Sequence, residues 1–365
     1  MKHLHFILAK GIYPYRTGGM EIFNFYFIKS LLKEGYRISY SAYSRFQIEE
    51  SENFKSKKLH KLRPSKIFEP FQTAFYLLGK KVDTVVFSFS RGPWIMWQLY
   101  RLLLKAIGVE YIAIIHLGQK PQSNKHTGII KKFFQGAKAV VAVSDDIKKN
   151  YDELYDINCI TIPPLVPFEI SKESRENLRT KYDIPQESTV ICMVGTVKGM
   201  KNTDTILRAI ASFSTEEQNE IKPFILFAGG GDKLLEMKDL AKELNIDKNV
   251  KFLGNVAKEK VNEIYKLSDI YVIASDYEGT SVSLLEAMYN KKPIIASKAR
   301  GIVDMLTEGH NCLMFNTKNE KELKDAVINI ASDKNKATIF SKNAQETYHS
   351  KYSYQQIIEQ YKIIL

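Results

Sequence analysis

The chain of 365 residues holds only three cysteines, and Cys159, Cys192 and Cys312 stand far apart with no C-x-x-C spacing. Neither a zinc site nor a disulfide framework is expected, and a reducing compartment is implied. There is no run of about 18 apolar residues, so no transmembrane helix is predicted. The short run Leu4 to Ala9 follows Met1-Lys2-His3 and gives way to Tyr13-Pro14-Tyr15, too brief and wrongly flanked for a signal peptide. A cytoplasmic protein is the expectation. No internal repeat or low-complexity tract stands out. No helix-turn-helix, RNP or zinc pattern marks a reader of nucleic acid. No D-x-D pair occurs at a strand end, so no metal and no cofactor is expected.

What is present begins with ordinary globular proportions, 44% hydrophobic and 26% charged residues, in a length that suits two domains. Charge is unevenly spread. Residues 1–170 carry 25 Lys and Arg against 14 Asp and Glu, whereas the remainder carries 28 against 27. A basic half attracts nucleic acid, an anionic membrane or an anionic ligand through the same long-range field.

Short apolar runs at Leu4 to Ala9, Thr84 to Phe89, Tyr111 to Ile115 and Ala139 to Val143 alternate with helix-like stretches such as Met20 to Lys33 and Pro93 to Ile107. This alternation predicts βαβ units on a parallel sheet. Pro163-Pro164-Leu165-Val166-Pro167 and the charged residues after it read as a seam. Beyond it the pattern restarts, with runs Val190 to Gly195, Phe224 to Ala228, Val250 to Leu253, Ile270 to Ala274 and Ile294 to Ala296. The predicted class is α/β, with two Rossmann-like, doubly wound domains facing a central cleft. Their expected bounds are 1–165, a linker at 166–187, a second domain at 188–345, and a terminal helix at 346–365 crossing back to the first.

The segment Ser275-Asp276-Tyr277-Glu278-Gly279-Thr280-Ser281-Val282-Ser283-Leu284-Leu285-Glu286-Ala287-Met288 lies where a strand gives way to a helix. Glu278 falls in the loop, where Gly279 permits close backbone approach, and Glu286 falls inside the helix. The amides of Thr280, Ser281 and Val282 at the helix start favour a phosphate. A blander reading makes Ser283-Leu284-Leu285-Glu286 a capping box.

This stretch resembles the E-x7-E motif of retaining glycosyltransferases of the GT-B fold, in particular glycosyltransferase family 4. Further matching pieces occur in the family's order: Gly18-Gly19-Met20-Glu21, Val194-Gly195 with Lys201, Ala228-Gly229-Gly230-Gly231-Asp232, Val250-Lys251-Phe252-Leu253-Gly254, Pro293-Ile294-Ile295-Ala296-Ser297 and Gly301-Ile302-Val303-Asp304. The resemblance implies transfer of a sugar, hexosyltransferase-like and with retention, from a nucleotide-diphosphate sugar to a glycan or lipid-linked acceptor in bacterial surface polysaccharide biosynthesis. It places the acceptor side in the first domain and the donor in the second.

It further implies that Glu286 bonds the donor's ribose and that Glu278 stands near the donor sugar, stabilising charge at the anomeric carbon. Lys201 is expected to neutralise the diphosphate without a metal. The family's arginine is replaced here by Thr196, which loses bidentate phosphate recognition, and Lys198 is expected to compensate. Gly18 and Gly19 are expected to bring amides to the diphosphate, and the loop at Gly254 to shape donor choice. His116, at a predicted strand end, matches a histidine the family places beside donor and acceptor.

On the acceptor side, the basic run Lys55 to Lys66 and the aromatics Trp94, Trp97 and Tyr100 near Arg91, Arg101 and Lys105 suit an anionic membrane surface. Peripheral association with the inner face of the cell membrane is therefore expected, and nucleic acid is not expected as a partner. The competing readings are a nucleotide-sugar epimerase on the same scaffold, a non-enzymatic polyanion-binding protein, and a weakened partner subunit prompted by Thr196.

Overall fold

Six consecutive buried residues, His3–Leu8, form the first strand, β1. A strand covered on both faces belongs in the middle of a parallel sheet. The computed structural model describes residues 1–8, 19–42, 54–58, 69–89, 94–116, 126–165 and 170–365. The chain divides into one unit of Met1–Pro167 with Ser353–Leu365, and a second of Phe168–Tyr352.

In the first unit the other strands are β2 (Arg37–Ala42), β3 (Phe54–Lys58), β4 (Thr84–Phe89), β5 (Glu110–Ile115), β6 (Ala139–Ala142) and β7 (Ile160–Thr161). The helices α1 (Gly19–Lys33), α2 (Glu69–Leu78), α3 (Trp94–Ala106), α4 (Thr127–Gln135) and α5 (Asp145–Tyr155) connect them. Among the described residues the sheet order is β3-β2-β1-β4-β5-β6-β7, all parallel. The order reverses between β1 and β4. Part of the basic run, Lys55 to Lys58, lies within β3, an edge strand among the described residues.

The second unit contains α6 (Arg175–Lys181), β8 (Thr189–Val194), α7 (Thr203–Ala211), α8 (Thr215–Ile221), β9 (Pro223–Ala228), α9 (Leu234–Glu243) and β10 (Val250–Phe252). It continues with α10 (Val261–Leu267), β11 (Ile270–Ile273), α11 (Val282–Tyr289), β12 (Ile294–Ser297), β13 (Leu313–Phe315), α12 (Glu320–Ser332) and α13 (Lys334–Lys351). Its sheet runs β10-β9-β8-β11-β12-β13, again parallel, and reverses between β8 and β11. Separate apolar clusters cover its two faces, one around Leu226, Tyr265 and Met288, the other around Ile225, Ile206 and Val327.

Two segments differ from the expected domain bounds. Residues 175–181, placed in a linker, form a helix anchored in the second unit by Arg179. That side chain is 1% exposed and donates to the carbonyls of Leu267, Gln186 and Ser188 and to the Asp269 carboxylate at 2.7 Å. A buried guanidinium is tolerated only when its donors are satisfied in this way, and the partners are tertiary. At the other end α13 stays with the second unit to Lys351. Only α14 (Tyr354–Ile364) joins the first, with Ile357, Ile358 and Tyr361 in its core and the Tyr361 ring 4.3 Å from that of Phe27.

Cys159, Cys192 and Cys312 are buried and unbridged. Among the described residues no helix is long and apolar enough to cross a membrane.

Candidate functional site

Open parallel sheets bind ligands beyond the carboxyl ends of their strands, at the point where strand order reverses. In the second unit that point lies beyond β8 and β11, and the segments leaving these two strands carry Lys201 and Glu278. The Lys201 ammonium pairs with Glu278 Oε1, and Ser275 Oγ donates to the same oxygen at 2.6 Å. The two side chains are 18% and 13% exposed, so the pair is shielded yet reachable.

The loops that carry them are bound to each other. Asn202 holds a left-handed conformation and is 3% exposed. Its Nδ2 donates to the Ala274 carbonyl at 2.9 Å and to Asp276 Oδ1 at 2.7 Å. The Asp276 amide returns a bond to the Met200 carbonyl at 2.9 Å. On the far side the Glu278 amide donates to the Arg300 carbonyl at 3.1 Å, and a Cβ at Gly301, where φ is +82°, would collide with the Glu278 carbonyl. This close approach excludes any other residue at 301 without movement, and it holds Glu278 against the chain leaving β12.

Glu286 lies further on, inside α11. The N-cap is Ser281, whose Oγ accepts from the Leu284 amide at 3.3 Å, so the helix starts before the capping box read at Ser283. Ser283 Oγ accepts instead from the Tyr271 hydroxyl at 2.9 Å. The freed Glu286 carboxylate points inward, pairs with the Lys258 ammonium and accepts from the Tyr265 hydroxyl at 3.0 Å. Burial draws the Lys258 ammonium down to about 8, and the Glu259 carboxylate opposes this by favouring the charged form. Gly279 and Thr280 are half-buried, Ser281 is buried and Val282 half-buried, lining the turn between the two glutamates.

The glycine series extends this floor. The Gly195 amide donates to the Ala228 carbonyl and the Val197 amide to the Gly230 carbonyl, each at 2.9 Å. A Cβ at Gly229 would strike the Gly195 carbonyl, so the two segments lie closer than side chains permit. Gly254 bridges Gly229 in antiparallel fashion, and Asn255 Oδ1 accepts from the Gly230 amide at 3.0 Å. Thr196 and Lys198 flank buried Val197 and are exposed.

In the first unit, His116 follows β5. Its Nε2 lies 3.0 Å from Ser88 Oγ, and its ring centroid is 4.8 Å from that of Phe23. Burial lowers its pKa far below the usual histidine value, which keeps the ring neutral. Gly19 opens α1, whereas Gly18 lies outside the described residues. The aromatic surface expected around α3 is corrected: Trp97 and Tyr100 are 4% and 3% exposed and pack on Phe87 in the core. Their spacing on the helix is that of an inward face. Arg91 and residues 59–66 lie outside the described residues, as does the side chain of Trp94.

The structure therefore brings together Lys201 with Glu278, and the glycine turns of Gly195, Gly229 and Gly254. Sequence reading missed Lys258, Tyr265, Ser275 and the tying role of Asn202. Lys258, Tyr265 and Asn202 carry no local signal, because each acquires its partner only when distant segments meet, whereas Ser275 reaches Glu278 within its own loop.

Residues 174–347 match the family of glycosyl transferases group 1. The second unit belongs to the glycosyl transferases group 1. Over 244 residues the chain is 28% identical to an uncharacterized glycosyltransferase of Methanocaldococcus jannaschii, covering 64% of this chain and 59% of that one. It is 26% identical to the D-inositol 3-phosphate glycosyltransferase of Corynebacterium kroppenstedtii over 48% of this chain and 40% of that one. The matches thus span about half the length of these curated relatives. Among solved structures, the Anabaena protein HepE in complex with UDP superposes with a TM-score of 0.81 at 16% identity, over 100% of this chain and 99% of that one. The fold of the whole chain is GT-B, and the glycosyl transferase domain carries both glutamates.

Proposed function

We propose that the chain transfers a hexose, with retention, from a nucleotide-diphosphate sugar to a glycan or lipid-linked acceptor during surface polysaccharide assembly in the cytoplasm. The observation that carries this reading is the Lys201–Glu278 pair at the strand-order reversal, inside a glycosyl transferase domain. The UDP bound to HepE supports a nucleotide donor.

In this reading Lys201 leaves Glu278 for the donor's diphosphate, with the exposed Lys198 supplying charge that Thr196 does not. Glu278 turns to the donor sugar and stabilises the positive charge that develops at its anomeric carbon. Glu286 accepts the ribose hydroxyls in exchange for the Lys258 ammonium. The bond from the anomeric carbon to phosphate oxygen breaks, the acceptor oxygen bonds to that carbon on the same face, and the acceptor proton passes to the departing phosphate. His116 contributes a hydrogen bond to the sugar as a neutral ring. Two lysines in place of a divalent ion make the reaction metal-independent.

The test is a panel of UDP-, GDP-, ADP- and dTDP-sugars with chelator present, scored by thermal shift on wild type and Glu286→Ala. A ligand at 100 times its Kd adds about 2.7 kcal/mol of stability, so a single preferred nucleotide will be visible. Stabilisation by one donor, reduced in Glu286→Ala, is the expected result. Loss of all stabilisation in chelator and its return with a divalent ion would overturn the metal-free reading.

A further inference from the structure

Helix α2 is apolar on both of its faces. Thr73, Ala74 and Leu77 face inward, with the Thr73 hydroxyl 3.3 Å from that of Tyr100 on α3. Facing solvent, Phe71 is 47%, Phe75 80% and Leu78 66% exposed. The spacing i, i+4, i+7 places these three on one stripe. Leu102 on α3, which packs beside α2, is 51% exposed as well. Single exposed apolar residues are ordinary, but a row of two phenylalanines and a leucine marks a surface that another body covers.

The charge around this stripe selects that body. Lys80 and Lys81 follow α2 directly and are exposed. The stretch of sequence just before it, residues 55–66, contains six Lys and Arg and no acid. Residues 1–170 carry an excess of eleven positive charges, 25 against 14. Exposed phenylalanines on a short helix followed at once by two exposed cations complement an interface with apolar depth beneath an anionic layer.

We infer that α2 is a membrane-contact helix, with Phe71, Phe75 and Leu78 entering the acyl boundary of an anionic bilayer and Lys80 and Lys81 resting at its phosphates. This moves the contact from the buried α3 aromatics to a surface that residue spacing alone had not singled out. The inference stands apart from the transferase reading, since binding to lipid requires no donor.

The experiment is vesicle flotation of the full chain at low salt, with phosphatidylcholine vesicles that contain or lack phosphatidylglycerol. The expected result is retention only on the anionic vesicles. The double variant Phe75→Ser with Leu78→Ser should lower partition by more than about tenfold, the transfer worth of two such side chains. Lys80→Glu with Lys81→Glu should lower it by at least about thirtyfold, and added salt should weaken the wild type in parallel. Phe75→Trp, at a position already open to solvent, supplies an independent reading: its emission, taken as the difference from wild type, should shift to the blue on anionic vesicles and be quenched by brominated lipid. The inference is overturned by failure of the wild type to float, by equal flotation of the serine variant, or by an unshifted difference emission from Phe75→Trp. It is also overturned if the stripe proves to drive self-association, seen as a concentration-dependent dimer in sedimentation that the serine variant abolishes.

Discussion

One strand-loop-helix segment carries the carboxylates of two lysine–carboxylate pairs, and the pairs are built differently. Glu278 stands on the loop after β11, held by a serine, a lysine and backbone bonds on either side, and keeps 13% of its side chain in solvent. Glu286 stands on a helix, is 4% exposed, and is closed off by Lys258 and Tyr265. A carboxylate on a loop between two strand ends is placed to exchange partners with a ligand. One on a helix has its direction set by the helix and its charge set by whatever cation the fold supplies. In the proposed reading the first pair carries the reaction chemistry and the second registers the donor.

The sharpest way to break that assignment is Glu278→Gln. Transfer should fall by about a hundred- to a thousandfold in kcat, as when a transition-state electrostatic contact is removed. Donor affinity, read by calorimetry, should change little. A loss mainly in donor affinity would reverse the roles of the two glutamates.

Lys258→Met should act in the opposite way, chiefly on stability. It leaves a buried carboxylate without its cation, a change that costs about 3–5 kcal/mol when the partner remains. Calorimetry on Lys258→Met, Glu286→Gln and the double variant should show the double losing much less than the sum. Additive losses would mean that the pair is not energetically coupled.

Gly301→Ala sharpens the placement of Glu278. A methyl there meets the Glu278 carbonyl and also requires a left-handed backbone, whereas Gly309 has φ +73° with open space around it. The Gly301 variant should lose about 1–3 kcal/mol from strain, against about 1 for Gly309→Ala, which has the backbone cost alone. Equal melting temperatures would show that the loop carrying Glu278 is free to move.

The smallest expected effect concerns His116. Its folded pKa lies below the ordinary value, so the unfolded chain binds the proton first as pH falls. The stability that the neutral ring contributes is fully present above about pH 6.5 and is lost progressively below it. His116→Gln should flatten this acid limb, measured as melting temperature from pH 7 downward, and an unchanged slope would assign the acid sensitivity elsewhere.

Much of the fold was legible because fully buried parallel strands leave short, dense apolar runs. Thr84 to Phe89 marks β4 end to end, and the restart at Val190 marks the second sheet. Strand β3 was not legible, since three of its five residues are lysine and an edge position tolerates them. Helix α6 read as linker because its anchor is an arginine, and no local pattern says whether an arginine will be buried. On α3 the aromatics of an inward face were read as a surface, while α2 and its solvent stripe were not singled out.

The spacing of Glu278 and Glu286, the glycine turns after β8 and β9, and the uneven charge were determined along the chain, because a strand-loop-helix unit fixes them over a few residues. The partners were not. Lys201 reaches Glu278 across 77 residues and Lys258 reaches Glu286 across 28. Contacts over such distances exist only once parallel strands have stacked their carboxyl ends side by side, which no local preference specifies. The same holds for α2, whose outer face is defined by what the rest of the unit leaves uncovered.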